Sequence, residues 1–119
     1  MLEPENQAHL QFVKVLGIIG SKWNLFIIWI LKDGKLRFSE LQKRMGNVNS
    51  KTITKHLRDL EDNKIITRSV YPEVPPRVEY ALTAQGQAFL PVFNAIREWA
   101  ESVSALPQQA KAAPNRDKQ

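Results

Sequence analysis

The sequence predicts a mainly α-helical domain that carries one small β-hairpin. Three observations support that expectation. Apolar residues recur at helical spacing before residue 62 and again after residue 88. Turn and capping signals cut the first of these runs into short helices. Strand-like alternation occurs only around a proline-rich loop near residue 74. With 119 residues, 43% of them hydrophobic, the chain suffices for one folded core and not for two.

Residues 1–8 are polar, include Pro4 and read as a loose lead-in to a domain spanning 9–106. Glu3 and Glu5 stand where a secretory signal would need basic residues. From His9 to Ile19 a helix is expected, with Leu10, Phe12, Val13, Val15, Leu16, Ile18 and Ile19 surrounding most of it. A helix apolar on nearly every side needs cover on more than one side, and in so short a chain a partner subunit is an economical cover. Gly20 can close this helix in the left-handed conformation, and Ser21 can cap the next.

The second helix, Lys22 to about Lys32, carries Trp23, Phe26, Ile27, Trp29, Ile30 and Leu31 and ends at Asp33-Gly34. The apolar stretch from Val13 to Leu31 is interrupted by Lys14, Gly20, Ser21, Lys22 and Asn24. Its uncharged part is far shorter than the roughly 20 residues of a membrane span, so no transmembrane helix is expected. Leu36-Arg37-Phe38 reads as a strand stub. Ser39-Glu40-Leu41-Gln42 reads as a capping box, with Ser39 and Gln42 in structural roles, and Gly46-Asn47 stops its short helix by Met45.

Asn49 or Ser50 caps a helix running to about Asp62, with Asn63 as its left-handed terminus. Strands are expected from Ile65 to Tyr71 and from Val78 to Leu82, with Val78, Tyr80 and Leu82 on one face and Glu79 on the other. Pro72, Pro75 and Pro76 exclude a tight two-residue turn and make a stiff, protruding loop. Thr83 caps the last helix, along which Phe89, Val92, Ile96, Trp99, Val103 and Leu106 form a narrow seam. Pro91 should kink this helix or mark the start of its straight part. Residues 107–119 lack periodicity and read as a disordered tail.

Two helices joined by a tight turn and followed at once by a β-ribbon is the layout of a winged helix-turn-helix. Seventeen Lys and Arg against twelve Asp and Glu give a net charge of +5, which favours a polyanionic partner, nucleic acid or an acidic membrane surface. The helix 50–62 fits a reading head for double-stranded DNA. Its apolar Ile53, Leu57 and Leu60 share one face, Lys51, Lys55 and Arg58 lie roughly opposite, and Thr52, Thr54 and His56 lie on the flanks. Asp59, Glu61 and Asp62 gather at the far end, the reverse of what the helix dipole favours. A plain solvated face is the alternative reading of these charges.

Arg77 and Arg68, beside the wing, could reach phosphates or a minor groove, or could pair with Glu79 or Glu73 across the ribbon. Glu73 at the loop tip argues for mild contact. Arg37, Ser39, Asn49 and Ser50 complete the expected DNA-contacting set. An enzyme is not expected: His9 and His56 fall on different helices, and there is no nucleophile pattern, glycine-rich phosphate loop or metal-ligand spacing, hence no cofactor. Trp23, Phe26 and Trp29 could line a pocket for an unknown small-molecule effector, or be plain core.

Three stretches resemble the HxlR-type winged-helix regulators, relatives of the MarR group: Gly20-Ser21-Lys22-Trp23, Arg37-Phe38-Ser39-Glu40-Leu41, and the wing segment from Val70 to Tyr80 with Leu82-Thr83 and Gly86 after it. The match covers roughly residues 10 to 100, and the wing segment is its most specific part. The resemblance implies a prokaryotic, cytoplasmic regulator that dimerises through its first and last helices and reads DNA with Ser50 to Lys55. Leu10, Val13, Leu16, Val92, Ile96, Trp99 and Val103 are the expected dimer contacts. Many members of that group carry a cysteine near the start of the first helix, and several sense oxidants or electrophiles with it. Here Glu5-Asn6-Gln7-Ala8-His9 occupies that place and the chain has no cysteine, which excludes thiol switching and fits a reducing cytoplasm. The expected function is a sequence-specific homodimeric regulator on an inverted-repeat operator. The alternative is a winged-helix module that binds protein instead of DNA.

Overall fold

In the computed structural model, which describes residues 7–105, every helix after the first starts where a side chain accepts from a backbone amide of its first turn or cap. The elements are α1 (Gln7–Ile19), α2 (Lys22–Ile30, prolonged by a 3-10 turn over Leu31–Asp33), β1 (Leu36–Arg37), α3 (Phe38–Arg44), α4 (Ser50–Asp62), β2 (Ile66–Tyr71), β3 (Arg77–Leu82) and α5 (Ala84–Ala105). Ser21 Oγ accepts from the Asn24 amide at 3.3 Å, Asn49 Oδ1 from Lys51 at 2.7 Å and Thr83 Oγ1 from Gly86 at 3.1 Å. These three caps are the expected ones.

The α3 cap is different. Arg37 pairs with Glu79 in the sheet and stays extended, so the helix starts at Phe38 and its third position is Glu40. The Glu40 carboxylate accepts from the Arg37 amide at 2.8 Å, a charge-assisted bond that the neutral Gln42 could not match. Gln42 is thereby released, and its Nε2 donates to the Val48 carbonyl at 2.8 Å.

Two helix ends also differ from expectation. Gly20 is not left-handed; its amide continues the helical pattern onto Leu16. At the end of α4 it is Lys64, at φ 63°, that reverses the chain, while Asn63 stays at φ −96° and its side chain donates back to Asp59. Ile65 then donates to Leu60 and Lys64 to Glu61, a complete Schellman closure. The same closure ends α3, with Asn47 donating to Gln42 and Gly46 to Lys43, and Gly46 at φ 81°.

The stub β1 joins the hairpin to give a three-stranded antiparallel sheet in the order β1-β3-β2, with Leu36 opposite Tyr80 and Ile66 opposite Leu82. Tyr80 is buried, with Val78 and Leu82 packed beside it, as the alternation predicts. The core gathers Ile27, Ile28, Ile30 and Leu31 from α2, Leu41 and Met45, Ile53, Leu57 and Leu60 from α4, and Ile66. Helix α1, which begins at Gln7 and so takes in the end of the expected lead-in, contributes no buried side chain. Leu10, Val13 and Leu16 are about half exposed, as are Val92, Ile96 and Val103 on α5, and Trp99 is 66% exposed. Phe89 packs against the core instead of joining that seam, and α5 remains helical through Pro91. Leu106, most of the lead-in and the expected tail lie outside the described residues. Among the described residues no single helix is long and apolar enough to cross a membrane, and α1 meets the second helix at 76°.

Gly86 is buried where the first turn of α5 crosses the chain entering β2, and a Cβ there would press into the Ile65 carbonyl oxygen and the Leu82 side chain. Gly86→Ala is therefore expected to destabilise the fold by about 1–3 kcal/mol through overpacking against backbone. Thermal denaturation checks this; an unchanged or raised Tm would show that α5 can shift to make room.

Candidate nucleic-acid interface

The turn between α3 and α4 is held by three bonds: the two Schellman amides of Gly46 and Asn47, and the Gln42 side chain on Val48. It therefore presents α4 at a set angle. Because Ile53, Leu57 and Leu60 are buried, rotation of α4 about its own axis is fixed as well. The opposite side is free: Ser50, Lys51, Thr52, Thr54, Lys55 and Arg58 together line one shallow depression of about 690 Å³. Lys51, Lys55 and Arg58 are exposed, and Lys55 makes only a 3.5 Å surface pair with Asp59. Asp59 reaches this face through that pair, whereas Asp62 points elsewhere. Asp62 lines a separate cleft with Gln11 and Lys14 of α1 and Gln85 of α5.

The remaining expected contacts do not converge on that depression. Asn49 is exposed, but its side chain is engaged as the α4 cap. Arg37 and Ser39 are exposed at the start of α3 and lie outside the depression. Arg68 is exposed on β2. Arg77 is not free: its guanidinium bonds Glu73 at 2.9 Å and Glu79 at 2.7 Å and stacks on the Tyr71 ring at 4.0 Å. Arg77 does pair with both expected acids, but within the loop and its own strand β3 and not across the ribbon. Hydrogen bonding to Glu73, with Glu79 adding to it, raises the Arg77 pKa against the effect of desolvation. Desolvation works to raise the Glu79 carboxyl, yet the Arg77 hydrogen bond and the Lys35 and Arg77 charges hold it below the usual range. The arginine thus stiffens the base of the wing loop.

His56 turns inward from the flank of α4, and its Nδ1 meets Asn24 Oδ1 at 2.9 Å. Asn24 is only 2% exposed, and its Nδ2 donates to the Ile18 carbonyl at 2.8 Å. With the amide nitrogen committed to Ile18, the amide oxygen must accept, so His56 carries its hydrogen on Nδ1. Burial, followed by the Lys55 charge, lowers the His56 pKa below 6.5, against a smaller opposing pull from Asp59. In the sequence Asn24 stands out only as a break in an apolar run. Its signal is the isolation of one amide among Trp23, Leu25 and Phe26 on a helix otherwise made for the interior.

The expected aromatic pocket is an open groove of about 580 Å³ between α2 and α5, lined by Trp23, Phe26, Trp29, Phe93 and Ile96 with Lys22 and Arg97. Trp29 stacks on Phe93 with ring centres 4.7 Å apart, a pairing that no sequence pattern indicates.

Residues 18–108 match the family model described as HxlR-like helix-turn-helix. This chain belongs to that family. An uncharacterized HTH-type transcriptional regulator from Methanothermobacter thermautotrophicus is 49% identical over 81 residues, covering 68% of this chain and 62% of the relative's own length. Among solved structures, the reduced form of the transcriptional regulator YodB from Bacillus subtilis superposes with a TM-score of 0.71 at 34% identity, covering 85% of this chain and 93% of that one. The redox regulator HypR in its reduced form gives a TM-score of 0.74 at 34% identity, over 84% of this chain and 98% of its own. The family is one of transcriptional regulators, and its winged-helix fold is the one described above. The present HxlR-like chain differs from any thiol-based regulator in one respect: its 119 residues include no cysteine.

The low His56 pKa sets a pH dependence. The folded protein binds fewer protons at His56 than the unfolded chain does, so the contribution is complete above pH 6.5 and is lost as pH falls through 6.5 toward the lower folded value. The Tm is expected to drop between about pH 7.5 and about pH 5.5, and His56→Asn, which keeps a donor but does not titrate, should drop less. Parallel pH profiles for the two proteins would assign the acid sensitivity to other groups.

Proposed function

We propose that this chain is a sequence-specific regulator of transcription that binds double-stranded DNA as a homodimer on an inverted repeat, with α4 in the major groove and the wing on its flank. One observation carries the reading. Lys51, Lys55 and Arg58 stand among hydroxyl donors on one free face of α4, Lys51 and Lys55 in its amino-terminal half, while Asp59, Glu61 and Asp62 follow them toward the carboxyl end. Helix stability alone would favour the opposite order. A recognition helix enters the groove by its amino-terminal part, where cations meet phosphates and short polar side chains meet base edges. In this reading Arg68 is the wing's exposed cation, Arg77 shapes the loop, and Arg37 and Ser39 approach the backbone beside the groove.

The homodimer rests on the half-exposed apolar surfaces of α1 and α5, too large for single scattered residues on a monomer's surface. The α2–α5 groove shares Ile96 with that surface, and we read it as part of the dimer contact. A regulator of this kind works in the cytoplasm of a prokaryote, where its operator is.

Selection of bound duplexes from a random DNA pool, at roughly physiological salt, tests the whole reading. The expected product is an inverted repeat with half-sites about one helical turn apart. No enrichment, with weak binding that vanishes in salt, would place the interaction-module reading first.

Lys55→Ala and Arg58→Ala should each weaken DNA binding and flatten the slope of log affinity against log salt by about 0.9 for each phosphate no longer neutralised, whereas Asp62→Ala should change little. Equal effects at all three positions would remove the groove-facing assignment of α4. Trp99→Lys should yield monomers in sedimentation and lose operator affinity, since one half-site binds far more weakly than two. An intact dimer in that variant would move the interface away from the α5 seam.

A further inference from the structure

We infer that the hydrogen-bond chain Ile18–Asn24–His56 sets the angle between α1 and α4, and so makes Asn24 and His56 positioning residues for DNA half-site spacing. The inference rests on the dimeric DNA-binding reading above and specifies which side chains give that dimer its geometry.

Ile18 lies one residue from the end of α1, where its carbonyl has no partner within the helix and takes only a long 3.5 Å bond from the Ser21 amide. Asn24 Nδ2 donates to it at 2.8 Å, while the oxygen of the same amide takes the His56 hydrogen at 2.9 Å. One buried amide therefore ties the end of α1 to the middle of α4 across α2. Apolar packing holds α4 firmly, through three buried side chains, but holds α1 less firmly, since α1 has no fully buried side chain and only Ile18 packs, half-buried, against the core. Against so little packing, a buried bond that is costly to leave unmade has a large share in deciding where α1 points.

That direction matters for function. Helix α1 carries Leu10, Val13 and Leu16 toward the second copy, whereas Thr52 and Lys55 stand one turn and one residue before His56 on the reading helix. In a two-fold dimer the angle between the contact helix and the reading helix fixes the distance between the two α4 helices, which has to match the half-site separation of the DNA. Breaking the chain of bonds leaves the phosphate-contacting cations in place and loosens only that distance.

The test uses the full chain and three variants. His56→Leu and Asn24→Leu remove the bond, and His56→Asn keeps it because the Asn amide nitrogen stands where Nδ1 stands. The probes are the inverted-repeat duplex recovered by selection, the same duplex with one base pair added between half-sites, and a random duplex. Wild type and His56→Asn should prefer the parent spacing. Both Leu variants should lose about tenfold of that preference, the scale of one coupling through a packed network. Their dimer mass, random-duplex affinity and salt slope should stay unchanged, which a merely structural role would not predict. His56 is only half-buried, so His56→Leu keeps the test open should Asn24→Leu not fold. Wild-type spacing preference in folded, dimeric His56→Leu overturns the inference alone. A wild-type protein that selects no duplex overturns the DNA-binding reading, and this inference with it.

Discussion

Helix α2 is only nine residues long, yet Ile27, Ile28 and Ile30 are buried, Leu31 follows them inside, and Trp23 leans on the same core. A segment with apolar residues on every side has no stable place at a surface, so other elements must surround it. They do: α1, α3, α4 and α5 all pack against α2, and the sheet closes the end where the 3-10 turn meets β3. The positions of α4 and of the half-exposed helices α1 and α5 are both consequences of covering this one rod. Asn24, the one buried polar residue of the core among the described residues, sits where α1 and α4 meet α2 and is satisfied on both sides. A buried amide with partners on two neighbours specifies geometry in a way that apolar contacts, being non-directional, do not.

The second constraint is electrostatic, and in α4 it runs against local preference. Acids near the carboxyl end and cations near the amino end each oppose the helix dipole, at a cost of a few tenths of a kcal/mol to about 1 kcal/mol per charge. Three buried anchors and a complete Schellman closure outweigh that, and the charge order is then free to serve a partner. The wing shows the converse. There Arg77, Glu73, Glu79 and Tyr71 satisfy one another, so the loop is stiffened by its own charges.

Period and punctuation make most of the fold legible. The anchors Ile53, Leu57 and Leu60, the caps at Ser21, Asn49 and Thr83, and the alternation of Val78, Tyr80 and Leu82 all follow from local rules, and the structure agrees with each. What escapes is decided between elements. Pairing of Leu36-Arg37 with β3 shifts the α3 start by one residue, which exchanges Gln42 for Glu40 in the cap and frees Gln42 to brace the turn. Two residues compete for one left-handed position after α4, and Lys64 takes it while Asn63 donates to Asp59. The free face of α4 is visible in sequence, whereas the inward turn of His56 is not, since its partner lies 32 residues away.

Helix α1 carries the physical argument furthest. An isolated helix of its length is marginal in water, because nucleation is costly and propagation gains little per residue. This one buries no side chain within its own subunit and exposes Leu10, Phe12, Val13, Val15 and Leu16 by about half each. Apart from Ile18 on the core and its packing on α2, the contacts that would stabilise it are missing among the described residues, and in the proposed homodimer a second copy would supply them, the α5 seam being exposed in the same way. If that is where its stability comes from, association orders α1, α1 is tied to α4 through Asn24, and DNA reading becomes conditional on assembly. In the proposed dimer a chain without cysteine has another route to switching: an influence that altered the meeting of α1 with a second copy would reach α4 through the Asn24 amide.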